Sequence, residues 1–285
     1  MEERFIILST GRSGSNMLCG LLNSHPEILC HHELFHPNTS YFALNKRNGE
    51  FKEFEATDTR DAQPIKFLTA IWDRSFDHKA VGFKLLRNQN ITILRAMIKD
   101  PSVKKIVLER KNYLAVYTSM LAAKKTGQWS KLLASNDSSQ KHSEQPTYIS
   151  PKQFISYSND LCNYYNHLLC YLKKHKQPFL HVYFEELVAN KSKLSDILNF
   201  ININKSDANF MHNAHAAQNH KIISKRISNA EEFYSSYIHH TAQPKTFKDF
   251  IVNKAINHYK YMNLFYFRPP YFIRNILKKL LRNES

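Results

Sequence analysis

The sequence predicts an α/β fold in three layers, a central parallel sheet flanked by helices. Three observations predict it. Short apolar runs suited to strands alternate with helix-like stretches. The runs are nearly continuous in apolar residues, as strands covered on both faces require. The first run also feeds a turn of small residues that opens a helix, which is how a P-loop-type anion site is built.

The candidate strands are Phe5–Leu8, Ala80–Leu86 (AVGFKLL), Lys105–Leu108 (KIVL) and Phe179–Phe184 (FLHVYF). Candidate helices are Met17–Leu22, Ile91–Ile98, Leu114–Ala123 and the long Pro151–Lys174. The last opens on Ser150-Pro151, an N-cap residue followed by proline at the first helical position. Residues 37–62 and 134–149 read as loops, long enough to gate a substrate and equally suited to plain surface insertions.

At 285 residues the chain has length for one large domain or two small ones. Its 42% hydrophobic and 22% charged residues are those of a globular protein. No apolar stretch approaches the roughly 20 residues of a membrane span. The acidic start Met-Glu-Glu-Arg and the brief Phe5–Leu8 run do not make a signal peptide, so the expectation is a cytoplasmic chain. Cys19, Cys30, Cys162 and Cys170 form no Cys-x-x-Cys pair, which suggests neither a zinc site nor a disulfide framework.

The formal charge of +16 calls for acidic partners. Residues 1–50 nevertheless hold four Lys/Arg against five acids, whereas residues 245–285 hold nine against two. Any anion site near the N-terminus therefore rests on geometry rather than bulk charge. The tail "YFIRNILKKLLRN" (271–283) places its apolar residues on one helical face and Arg274, Lys278, Lys279 and Arg282 on the other. Such a helix suits the core or a second subunit, an anionic lipid surface or an acidic saccharide.

In "FIILSTGRSGSNMLCGLLNSHP" (5–26), Ser13, Gly14 and Ser15 let backbone N–H groups converge on an anion at a helix N-terminus. Ser15 and Asn16 add side-chain donors, and Arg12 adds a permanent cation. A nucleoside-triphosphate loop would end in Gly-Lys-Ser/Thr and pair with a strand-end Asp for magnesium. Here Asn16 follows Gly14-Ser15, and the four candidate strands are followed by Ser9, Arg87, Glu109 and Glu185. A metal-free phosphoester fits this better. "KIVLERKNYLAVYTSMLAA" (105–123) repeats the strand-turn-helix pattern, with Arg110 past the strand end and Ser119 on the helix. On an open parallel sheet both stand at the carboxyl edge, where a second phosphate can bind.

These two segments together resemble the PAPS-dependent sulfotransferases, in particular the bacterial carbohydrate and glycolipid branch that includes trehalose and nodulation-factor sulfotransferases. PAPS, 3′-phosphoadenosine 5′-phosphosulfate, carries two separated phosphate groups. The resemblance implies that Gly11-Arg12-Ser13-Gly14-Ser15-Asn16-Met17 holds the 5′-phosphosulfate and that Arg110 and Ser119 bind the 3′-phosphate. "SHPEILCHHELFHP" (24–37) resembles the segment bearing the catalytic carboxylate, which falls on Glu33, with His32 as rival base. "VGFKLL" (81–86) and "VYFEELVAN" (182–190) resemble two further family stretches, the latter with Phe184 in place of a tyrosine. Arg12 would steady the sulfuryl and leaving phosphate oxygens. Lys84 either reaches the site or is a plain strand-end lysine, and the late "KIISKRISN" (221–229) offers Lys225 or, better, Arg226 to the nucleotide.

The resemblance spans residues 5 to about 230 and implies one sulfotransferase domain over 1–285. It implies sulfuryl transfer from PAPS, without a metal, to a hydroxyl or amine of a small-molecule, saccharide or glycolipid acceptor. Two alternatives stand beside it. One is a P-loop small-molecule kinase, opposed by the missing lysine and aspartate. The other is a basic nucleic-acid-binding protein, suggested by the charge and by 13% aromatic residues but without any recognised motif. Neither the oligomeric state nor the acceptor is legible.

Overall fold

The computed structural model describes residues 2–43, 49–54, 56–127, 129, 146–190, 192–204 and 223–235. The predicted tail helix at 271–283 and most of the 134–149 loop lie outside them. The described residues fall into two compact units, those up to Thr147 with those of 176–226, and those of 148–175 with 227–235.

The first unit carries the sheet. Strands β1 (Glu3–Ser9), β2 (Ile28–His31), β3 (Ala80–Leu86), β4 (Val103–Glu109) and β5 (Phe179–Tyr183) lie in the order β2-β3-β1-β4-β5. All four neighbouring pairs are parallel. The helices are α1 (Ser15–Asn23), α2 (Thr57–Ala62), α3 (Pro64–Trp72), α4 (Ile91–Lys99) and α5 (Tyr113–Thr126), then α7 (Phe184–Ala189) and α8 (Ser192–Phe200). The crossover from β1 through α1 to β2 runs opposite to that from β3 through α4 to β4. Right-handed crossovers in opposite directions put their helices on opposite faces, which makes three layers.

The core follows strand parity. Phe5, Ile7, Cys30, Ile106, Leu108 and Val182 pack with Leu18, Cys19 and Leu22 of α1 and with Leu194, Ile197 and Leu198 of α8. Phe83, on the other face, meets Trp72 of α3 and Phe35. Each such large side chain contributes about 1.5–3 kcal/mol by leaving water. Gly82 admits this packing, since a Cβ there would lie 2.5 Å from the Phe5 ring.

β3 and α4 begin where the sequence places them, and β1, β4, α1 and α5 extend the expected runs by one to three residues at each end. The apolar run taken as the fourth strand ends one residue early, because Phe184 is already helical. β2 has no counterpart in the sequence reading. Residues 37–62, read as loop, contain a 3-10 turn at Lys52–Phe54 and α2.

In the second unit, α6 (Pro151–Lys174) has the predicted bounds, and the Ser150 hydroxyl accepts the Gln153 N–H. Its buried residues Phe154, Leu161, Tyr164, Tyr165, Leu168, Tyr171 and Leu172 recur at helical spacing. Phe154 meets Phe233 edge-on, and the Asn229 amide pairs with both backbone groups of Ile149.

Candidate active site

The chain leaves β1 toward one side of the sheet and β4 toward the other. The crevice at their carboxyl ends is therefore the place where an open sheet binds ligands. The turn after β1 runs Thr10 to Gly14 and is tied down from within. The Ser9 and Ser13 hydroxyls lie 2.6 Å apart, Ser9 reaches the Leu108 carbonyl of β4 and Ser13 reaches the Thr10 carbonyl. Two hydroxyl protons thus serve three short contacts, and the loop is fastened to both central strands.

Arg12 has φ 65 and Gly14 has φ 91, the left-handed region that an arginine occupies only at a cost of about 1–3 kcal/mol. Gly14 caps α1 without any side-chain hydrogen bond, and no acid stands in the first turn of the helix. The positive end of α1 is thus left for a ligand. A Cβ at Gly14 would lie 2.1 Å from the Phe184 ring, whereas a Cβ at Gly11 would meet nothing within 4 Å. Phe184 closes one side of the loop and Gly11 leaves the other open. Met17 packs against the core, so only its backbone N–H can serve an anion.

Strained backbone aims Arg12 at α5, where its Nε donates to the Ser119 hydroxyl at 2.9 Å. Arg110 donates to the Arg12 carbonyl at 3.3 Å and lies 4.8 Å over the Phe184 ring. Burial, and then Arg110, lower the pKa of Arg12. Burial also lowers that of Arg110, with Glu185 opposing and Arg226 adding to the effect. Arg226 closes the 3-10 turn Ile223–Arg226. Three guanidiniums thus crowd this edge, and both Glu185 oxygens already hold the Lys111 and Asn112 N–H groups. Among the described residues the buried Arg110 Nε has no hydrogen-bond partner, a donor that an anion would satisfy.

Across the loop, Glu33 follows β2. One carboxylate oxygen lies 2.8 Å from Lys84 Nζ, and the other accepts from Gln89 Nε2 at 2.6 Å. Lys84 is only 1% exposed and also reaches the Asn16 side-chain oxygen, so it joins α1 to Glu33. Register explains this: Lys84 pairs with Ile7, on the α1 face of the sheet. The Glu33 carbonyl accepts the His36 and Tyr41 N–H groups. Buried Arg60 donates to the carbonyls of Leu34 and His36 and holds Asp61 by two bonds.

The structure therefore brings Gly11, Arg12, Ser13, Gly14, Ser15, Asn16, Met17, Arg110, Ser119 and Arg226 to one strand edge, with Glu33 joined to the same loop through Lys84. His32 is adjacent but buried, and its carbonyl accepts the Lys84 N–H. Sequence reasoning missed Gln89, Arg60 and the packing of Phe184. "RNQN" gives no sign of a side chain that turns back toward β2, and Arg60 lies in a stretch that reads as loop.

No protein-family model matches the chain, and no curated protein does. Among solved structures, a sulfotransferase from Alicyclobacillus acidocaldarius is similar with a TM-score of 0.46 and 12% identity, covering 84% of this chain and 92% of that one. Mouse sulfotransferase SULT7A1, complexed with PAP, is similar with a TM-score of 0.41 and 14% identity, covering 92% and 85%. At such scores nothing is carried over from either protein to this chain.

Proposed function

We propose that this chain is a sulfotransferase that moves a sulfuryl group from PAPS to a hydroxyl or amine of a small-molecule, saccharide or glycolipid acceptor. One observation carries the reading. Two cationic anion sites, the loop at α1 and the Arg110–Arg226 cluster, are joined through the Arg12–Ser119 bond, and a carboxylate is wired to the first of them through Lys84. The Arg110 Nε, without a partner among the described residues, and the acid-free start of α1, which no side chain caps, fit a ligand with two separated phosphates.

PAPS, when bound, supplies the sulfuryl group and a phosphate leaving group. Arg110, Ser119 and Arg226 hold its 3′-phosphate, and the N–H groups of 11–17 hold the 5′ side. Glu33 accepts the acceptor proton as the new bond to sulfur forms and the bond from sulfur to the phosphate oxygen breaks. Glu33 is favoured over His32 as base because its side chain is partly exposed, whereas His32 is buried. Arg12 and Lys84 stabilise negative charge spread over the transferring group, a term that positioned cations supply without reorganisation.

The test is thermal stability with adenosine 3′,5′-bisphosphate (PAP) or with ATP and magnesium, each with and without EDTA. Bisphosphate at about 100 times its Kd adds roughly 2.7 kcal/mol, and the gain is unaffected by EDTA. Stabilisation by magnesium-ATP alone would overturn the reading in favour of a kinase.

A further inference from the structure

Gln89 sits where β3 ends and α4 begins. Its own N–H donates to the Leu86 carbonyl at 3.2 Å, closing a turn in which Asn88 has φ 71. Asn90, the next residue, caps α4 by accepting the Ile93 N–H. The backbone on either side of Gln89 is thereby fixed. Its side-chain amide is fixed as well, because Oε1 accepts the Leu86 N–H at 2.9 Å. An oxygen committed to a backbone donor leaves Nε2 as the end that faces Glu33, and Nε2 can only donate. It does so at 2.6 Å.

Lys84 and Gln89 act differently on the Glu33 carboxylate. The Lys84 ammonium is a point charge whose three donors rotate, so it fixes where one oxygen lies but not the plane of the group. The terminal torsion of a glutamate is broad and weakly restrained by itself. A planar amide anchored to backbone supplies the missing restraint. With Lys84 on one oxygen and Gln89 on the other, the carboxylate plane is set, and with it the direction of the lone pairs left for an acceptor proton.

We infer that Gln89 is a positioning residue for Glu33, holding its carboxylate plane through a bond relayed from the end of β3. This role rests on the sulfuryl-transfer reading above. It acts through Glu33 and needs no contact with either substrate, so it belongs to turnover rather than to nucleotide binding. Rate is sensitive to small errors in the placement of a base, whereas the 3′-phosphate contacts lie elsewhere on the edge.

The informative variant is Gln89→Glu, which keeps an oxygen for the Leu86 N–H and replaces the donor by a second carboxylate facing Glu33. Turnover is read as PAP released from PAPS in the presence of pooled sugar, phenol and amine acceptors, and PAP affinity is read by calorimetry. Gln89→Glu should lower kcat about 10- to 100-fold and leave the PAP Kd within about twofold. It should also move the acid limb of the pH–rate profile upward, because two facing carboxylates share a proton. In a Glu33→Gln background the same change should cost no further turnover. That double variant exchanges donor and acceptor, so its melting temperature should recover toward wild type while its kcat does not. A Gln89→Glu enzyme with wild-type kcat and pH profile would overturn the inference, as would an equal loss with and without Glu33. Failure of the wild-type chain to bind PAP would instead overturn the sulfotransferase reading, and this role with it.

Discussion

At the residue scale, the proposed reaction needs one group to grip the nucleotide and another to handle a proton. Arg110 is proposed for the grip. Its guanidinium is oriented by the Phe184 ring and by the Arg12 carbonyl, and its Nε has no partner among the described residues. Charge-assisted hydrogen bonds of this kind contribute about 1.5–3 kcal/mol each. Arg110→Ala should therefore weaken PAP binding about 10- to 100-fold by calorimetry. Glu33→Gln keeps the shape of its side chain and removes the proposed base. It should lower kcat by about 10²–10⁴-fold while PAP affinity changes little. Equal turnover in Glu33→Gln and wild type would move the base to His32. The sequence points to Arg110 because it stands just past an apolar run, and to Glu33 only through the family resemblance of residues 24–37. The partners that hold Glu33, Lys84 and Gln89, come from a strand and a turn more than fifty residues beyond it.

At the element scale, two short devices hold the site. The first is the contact between the loop at α1 and Phe184 at the start of α7. Gly14→Ala meets both a left-handed backbone and a ring 2.1 Å from the new Cβ. It should cost several kcal/mol, about 1–3 of them from backbone strain. Adding Phe184→Ala should recover the steric part, so the double variant is more stable than the two single losses summed, as measured by urea denaturation. The second device is Arg60, which ties α2 to the turn 34–40 that follows Glu33. Arg60→Ala leaves two carbonyls without their charged donor and should cost about 3 kcal/mol. The amides of His36 and Tyr41, which bond to the Glu33 carbonyl, should then exchange faster with deuterated solvent. Unchanged protection there would show that the turn holds itself.

At the scale of the whole molecule, a buried histidine links folding to pH. His31 ends β2 against the rings of Phe42 and Phe51 and accepts the Ala43 N–H on Nδ1. Burial, reinforced by nearby His78, depresses its pKa to about 3. The unfolded chain binds this proton near the ordinary value of about 6.5, so below that pH the unfolded state holds more protons. Stability from the neutral imidazole is complete above about pH 6.5 and is lost as pH falls toward 3, by up to about 1.4 kcal/mol per pH unit. His31→Gln should flatten the fall in melting temperature between pH 7 and pH 4. The same slope in both proteins would assign acid sensitivity to other groups.

What the sequence determined by itself is local: apolar runs long enough to be strands, a small-residue turn between strand and helix, and the Ser150-Pro151 start of α6. These follow from side-chain size and backbone preference over a few neighbours. β2 escaped because its apolar part is only Ile28-Leu29-Cys30, three residues that run directly into His31 and His32, shorter than any run read as a strand. The division into two units, the meeting of Arg12 with Ser119 across 107 residues and the Lys84–Glu33–Gln89 chain were decided only by tertiary structure. The physical reason is that strand order sets these meetings. In a sheet ordered β2-β3-β1-β4-β5 the carboxyl ends of β1, β3 and β4 share one edge, and no spacing along the chain encodes which strands become neighbours.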